Sequence, residues 1–153
     1  MIRPCGVLLA LLLLPAVAAA EHVDARDYPA PGAGGEAFAR MERALERGFD
    51  YICGDTFCEG DYGNLRALQL RCAVRRRDAT VSGCTWSFAG SYAYVDGDTA
   101  VPQVDARRWA CALPVPAGTP LKTLLARLSA PEGFETPLPG SELSTYDALT
   151  LCL

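Results

Sequence analysis

Six cysteines after residue 20, at positions 53, 58, 72, 84, 111 and 152, constrain this chain more than any other feature. An even set can pair completely, and chains that pair their cysteines fold in an oxidising compartment. The seventh, Cys5, sits in a segment of another kind. Met1 to Ala20 carries one positive charge (Arg3), an apolar run from Gly6 to Leu14, then Pro15 and Ala16-Val17-Ala18-Ala19-Ala20. That is the pattern of a secretory signal peptide, expected over residues 1–20. Its run falls short of the ~20 apolar residues a membrane span needs, so no span is expected after its removal. Cys5 directly follows Met1-Ile2-Arg3-Pro4, which leaves no apolar stretch before it, and a lipoprotein anchor is not expected.

Removing those 20 residues from 153 leaves 133, with 13 Arg/Lys against 18 Asp/Glu and a net charge of −5. A domain of that size buries roughly two-thirds of its unfolded surface, so bridges here brace a core and do not replace one. Twelve arginines against a single lysine, Lys122, with heavy Ala, Gly and Pro usage, indicate a bacterial source by composition. The expected location is the periplasm or the extracellular space.

Residues 21–35 (EHVDARDYPAPGAGG) are polar and rich in Pro and Gly, with no apolar period, and are expected to form a flexible tether. From 36 to 153 the chain should be one domain. Phe38, Met41, Leu45, Phe49 and Ile52 recur at helical intervals, which predicts a helix near 36–48 ending at Arg47-Gly48. Leu68, Leu70, Cys72 and Val74 alternate with polar residues, as do Cys84, Trp86 and Phe88, so 65–89 reads as a hairpin. If facing positions sum to 156, Leu68 meets Phe88, Leu70 meets Trp86 and Cys72 meets Cys84, all on one side. A slip of one residue would turn one apolar row to water. The turn falls at 76–79, with Arg75-Arg76-Arg77 at its tip. Asp96-Gly97 marks a second turn between 92–95 and 99–104, where Pro102 requires a sheet edge. A fourth strand at 107–115 aligns Trp109, Cys111 and Leu113.

Two helices should close the chain. Thr119-Pro120 supplies an N-cap and a first-turn proline for Leu121, Leu124, Leu125 and Leu128. Beyond a Pro/Gly-rich loop (131–140), Ser144 and Asp147 are spaced to cap a last helix, with Leu143 and Ala148 as a small staple and Tyr146, Leu149 and Leu153 on its buried side. The fold class is therefore α+β: an antiparallel sheet of about four strands, with an N-terminal helix and two C-terminal helices on one face, braced by disulfides. Six cysteines allow 15 pairings, among which sequence alone does not choose; the shortest-range set, Cys53–Cys58, Cys72–Cys84 and Cys111–Cys152, is the expectation. Chain entropy assigns about 2 kcal/mol to the shortest loop and about 4 kcal/mol to the longest.

The residue inventory limits the chemistry. The one histidine, His22, is the second residue of the expected mature chain, too far toward its end to serve Ser-His-Asp or Cys-His nucleophile systems. Histidine-based zinc centres are ruled out, and no Cys-x-x-Cys pair begins a four-cysteine site. Four residues between Cys53 and Cys58 also differ from the two of disulfide exchangers. No phosphate-binding glycine loop is present. Neither a cofactor nor a metal is expected, and any enzyme here would work with carboxylates, tyrosine or arginine.

The densest polar cluster is 50–61 (DYICGDTFCEGD), where Asp50, Asp55, Glu59 and Asp61 surround two glycines and a short cysteine loop. A solvated acidic turn explains it most simply. It could also supply oxygens for Ca²⁺, although it departs from the D-x-[DN]-x-[DN]-G register. Glu59 and Asp61 could serve as acid and base in a hydrolase of envelope polysaccharide. Arg75–Arg77 and Arg107-Arg108 could grip carboxylate or phosphate, and Tyr92, Tyr94 and Trp109 could stack on sugars or on each other. The negative net charge opposes nucleic-acid binding. By elimination the chain reads as a small non-enzymatic binding or inhibitory module whose partner is another envelope protein. The contact is expected at Asp55, Phe57, Glu59, Asp61 and Tyr62, aromatic anchors flanked by acids.

Overall fold

The computed structural model describes residues 20–58 and 62–153, so the expected signal peptide lies outside them except for Ala20. Strands β2 (Arg66–Arg75) and β3 (Thr80–Val95) form the hairpin that the alternation predicts, with Leu70 facing Trp86 and Cys72 facing Cys84. β3 turns back into β4 (Pro102–Leu113), and β1 (His22–Asp24) lies outside β2. The antiparallel order is β1-β2-β3-β4, with a two-residue β5 (Thr119–Pro120) pairing with the start of β3. Helices α1 (Gly35–Ile52), α2 (Leu121–Leu128) and α3 (Thr145–Thr150) complete the α+β fold. Side chains alternate across a strand, and on β3 Cys84, Trp86 and Phe88 are buried while Thr85, Ser87 and Ala89 are not. The buried row shares one core with Phe38, Met41, Leu45 and Phe49 of α1, Leu124 and Leu128 of α2, and Leu149 of α3. Among the described residues, no helix lies on the other sheet face.

Cys53–Cys58, Cys72–Cys84 and Cys111–Cys152 are the three bonded pairs. The last ties the chain end to β4. Ser144 and Asp147 form the reciprocal cap that their spacing predicts: each side chain bonds the other residue's backbone N–H. These bonds hold the Asp147 carboxyl below the usual carboxylate range, led by the Ser144 backbone N–H. Among the described residues no helix is long and apolar enough to cross a membrane.

Several expectations need correction. The first part of residues 21–35 is held at the sheet edge and is not a free tether. His22–Asp24 pairs with Ala73–Arg75, and Arg26 bonds both Glu42 of α1 and the Leu70 carbonyl of β2. A three-residue strand is too short to show a period, and its partner lies some 50 positions away. α1 does not stop at Gly48, because this glycine serves packing: a Cβ there would lie 2.5 Å from the Cβ of Phe134. The helix continues to Ile52 and widens into one broader turn at Cys53–Phe57. The segments 84–89 and 92–95 are one strand, and so are 102–104 and 107–113, because pairing continues unbroken through Gly90↔Arg107 and Ser91↔Ala106. Thr119 does not cap α2. It pairs with Val81, and its hydroxyl donates to the Pro116 carbonyl.

Leu68 is the remaining correction. Ala67 faces Phe88 and Gln69 faces Ser87, so Leu68 is an extra residue with no opposite number. This β-bulge turns Leu68 away from the core, and it is 52% exposed.

Candidate binding surface

The uncovered sheet face is built from small side chains. Ser87, Ala89 and Ser91 of β3 form a floor, and Ala106 and Ala110 of β4 flank it; none of the five is buried. Over this floor stand longer side chains from the outer strands. Arg66 faces Ala89 on β2, and Ala89 faces Arg108 on β4, so the two arginines share one cross-strand row. Two strand spacings separate them, roughly 10 Å between backbones. Leu68 stands beside Arg66 on the β2 side. The result is a shallow trench along β3 of about 510 Å³, lined by Asn64, Arg66, Leu68, Ala89, Ser91 and Arg108. A second hollow of about 510 Å³ continues it past Leu68 over Ser87 and Ala110.

Its electrostatics are one-sided. No carboxylate among the described residues lines either hollow. Among the described residues, Arg66 and Arg108 make no ion pair, as is also true of Arg43, Arg47, Arg76 and Arg127, whereas Arg26, Arg40, Arg71, Arg75, Arg77 and Arg107 each do. One end of the trench is fixed by Asn64, whose amide donates to the Ser91 hydroxyl at 2.9 Å and accepts from the Ser91 N–H at 2.7 Å.

Of the residues expected to make the contact, only Phe57 and Tyr62 have described side chains. Glu59, Asp61 and the side chain of Asp55 lie outside the described residues. Phe57 stacks on Phe49 with ring centres 5.5 Å apart and touches Tyr146 at 5.6 Å. Tyr62 joins a separate cluster on the helix-bearing side of the β3–β4 hairpin. Its ring meets Trp109 at 5.1 Å and Tyr92 at 5.3 Å edge-on, and Tyr94 stacks on Tyr92 at 5.4 Å. Its hydroxyl donates to Asp105 Oδ2 at 2.6 Å, while the Arg107 guanidinium lies 5.2 Å over the ring and pairs with Asp105. Burial, followed by that hydrogen bond, pushes the Tyr62 phenol up to about 12. The same bond holds Asp105 below the ordinary carboxylate range. The aromatic rings of this hairpin are thus engaged with one another, and Phe57 and Tyr62 sit half-buried in different clusters.

The other arginine group behaves as a solvated tip. Asp78 accepts from Arg75, Arg77 and the Thr80 hydroxyl, and it is held well below the usual range, with the Thr80 bond as the largest cause. A further cleft of about 490 Å³ lies between α1 and residues 129–135, lined by Arg47, Tyr51, Glu132 and Glu135. Both glutamates are exposed, so the cleft lacks the buried carboxylate expected of a glycoside hydrolase acid.

Strict alternation hid the trench. It placed Leu68 inside and gave no reason to group Arg66 with Arg108, which are 42 positions apart. The readable signal was the composition of β3's outward face, small at four successive positions from Ser87 to Ala93. Compared with protein-family models, curated proteins and solved structures, the chain matches none.

Proposed function

We propose that this chain is a small exported binding or inhibitory module of the bacterial envelope, acting by contact with another protein and not by catalysis. Export is supported by the leader pattern of residues 1–20 and by the three cysteine pairs, which belong with an oxidising compartment. The observation that carries the binding role is the outward-turned Leu68 beside two unpaired arginines on the helix-free sheet face. Bulges re-aim side chains at functional places, and an apolar knob flanked by uncommitted guanidinium groups has the make-up of an interface anchor.

The test is affinity capture from envelope extract of the producing cells, using mature protein and two sets of substitutions. One set is Leu68→Asp with Arg66→Glu; the other is Asp55→Ala, Glu59→Ala and Asp61→Ala. The expected result is one protein species retained by wild type and lost from the first set. Retention by the first set and loss from the second would move the contact to the acidic loop. Equal recovery with all three proteins would reject the binding role at both places.

A further inference from the structure

We infer that the trench takes an acidic segment of the partner in extended conformation, with two consecutive carboxylate residues preceded by an apolar one. This inference rests on the binding role proposed above and specifies the chemistry of what is bound.

Charge comes first. The expected mature chain is acidic overall at −5, yet among the described residues the trench contains Arg66 and Arg108 and no carboxylate. Guanidinium groups match carboxylates in two-point hydrogen bonds, and among the described residues neither arginine has an ion-pair partner. A general polyanion such as nucleic acid would meet the net negative charge of the rest of the molecule, whereas a short segment meets only the trench.

Geometry then sets the order of residues. The floor runs along β3, with Arg66 and Leu68 on one bank and Arg108 on the other. Consecutive side chains of an extended chain point to opposite sides. A chain lying along the floor with two acids in succession therefore directs one carboxylate to each bank. The residue two positions before the first acid returns to the Arg66 bank, about 6.6 Å along it. Leu68 is two positions from Arg66 on that bank and can cover an apolar side chain there. The small floor of Ser87, Ala89 and Ser91 leaves room for a second backbone.

The test uses a blocked, labelled peptide, Gly-Leu-Ala-Glu-Glu-Gly, with fluorescence anisotropy against the disulfide-intact chain. Control peptides replace Glu-Glu by Gln-Gln or Leu by Gly. Arg66→Ala and Arg108→Ala should each weaken binding about tenfold, as expected for loss of one charge-assisted contact. The Gln-Gln peptide should lose more than either, and Leu68→Ala should matter for the leucine peptide but not for its glycine control. Unchanged thermal unfolding of these surface variants excludes misfolding as the cause. No binding at millimolar peptide, binding indifferent to the two arginines, or equal binding of the Gln-Gln peptide would overturn the inference. Arginine-dependent binding to phosphatidylglycerol vesicles without binding of the peptide would assign the trench to an anionic lipid surface and overturn it too. If the peptide fails while Leu68→Asp with Arg66→Glu abolishes partner capture, the binding role stands and only the acidic segment falls.

Discussion

Replacing Glu42 should cost more than an ordinary surface ion pair, because Glu42 and Arg26 together stand in for a missing strand. β1 covers β2 only from Ala73 to Arg75. At Leu70, three residues before Ala73, the backbone edge left open by β1 is closed by side chains. The Leu70 N–H donates to Glu42 Oε1 at 3.1 Å, and Arg26 Nη1 donates to the Leu70 carbonyl at 3.0 Å. Arg26 Nη2 meets both Glu42 oxygens at 2.8 and 2.7 Å, and its guanidinium lies 4.5 Å over the Phe38 ring. The two side chains are 28% and 16% exposed, so water replaces little of this. Glu42→Ala strands the Leu70 N–H, worth about 1–3 kcal/mol, and deprives a mostly covered guanidinium of its counter-charge. Because Arg26 keeps its bond to Leu70 and some access to water, the total should be about 2–4 kcal/mol. Glu42→Gln keeps an acceptor for Leu70 and should cost about half as much. Urea unfolding followed by the fluorescence of Trp86 and Trp109 measures this as a shift in midpoint at constant slope. In a double-mutant cycle with Arg26→Ala the coupling should be about 1–2 kcal/mol. A loss below about 0.5 kcal/mol for Glu42→Ala, or full additivity with Arg26→Ala, would refute the reasoning, since exposed pairs behave that way.

Ala100 has φ +58° in the β3–β4 turn, a left-handed conformation that costs an alanine about 1 kcal/mol, so Ala100→Gly should be neutral or raise the melting temperature. Thr145 is fully buried and its hydroxyl has no hydrogen-bond partner among the described residues, so Thr145→Val should stabilise by about 1 kcal/mol in the same urea assay. Alkaline absorbance titration should show a phenol ionising near pH 12 that vanishes in Tyr62→Phe and moves to lower pH in Asp105→Asn. Because the native phenol is raised, its contribution to stability is complete below about pH 10 and is lost as pH climbs toward about 12. Asp105 is lowered, so its share is present above about pH 4 and is lost as pH falls through its native value. Removing Cys111–Cys152 with paired alanines should destabilise the chain by about 4 kcal/mol, the chain-entropy value for its 41-residue separation, measured by urea unfolding.

What could be read from the sequence was whatever repeats locally. The α1 stripe, the facing pairs Leu70–Trp86 and Cys72–Cys84 and the Ser144–Asp147 cap all follow from spacing within one element or between neighbours. What could not be read depends on contacts made across the fold. Gly48 resembles a helix end until Phe134 packs against it. His22–Asp24 has no pattern of its own and becomes a strand because β2 offers it an edge. Arg66 and Arg108 become neighbours only once β3 runs between them. The acidic loop was conspicuous because its charges lie close in sequence, while the trench is assembled from three strands.

The bulge at Leu68 has a consequence for how stability and recognition compete in this chain. Ala67 already faces Phe88 and Gln69 already faces Ser87. A chain lacking Leu68 would keep every facing pair and gain a regular ladder, with no leucine held in water. Such a deletion should therefore fold at least as firmly, and one bank of the trench would be gone. The extra residue is a local disadvantage to the hairpin, of the kind tolerated where activity opposes stability. Homologous chains that have given up the binding role would be free to lose it.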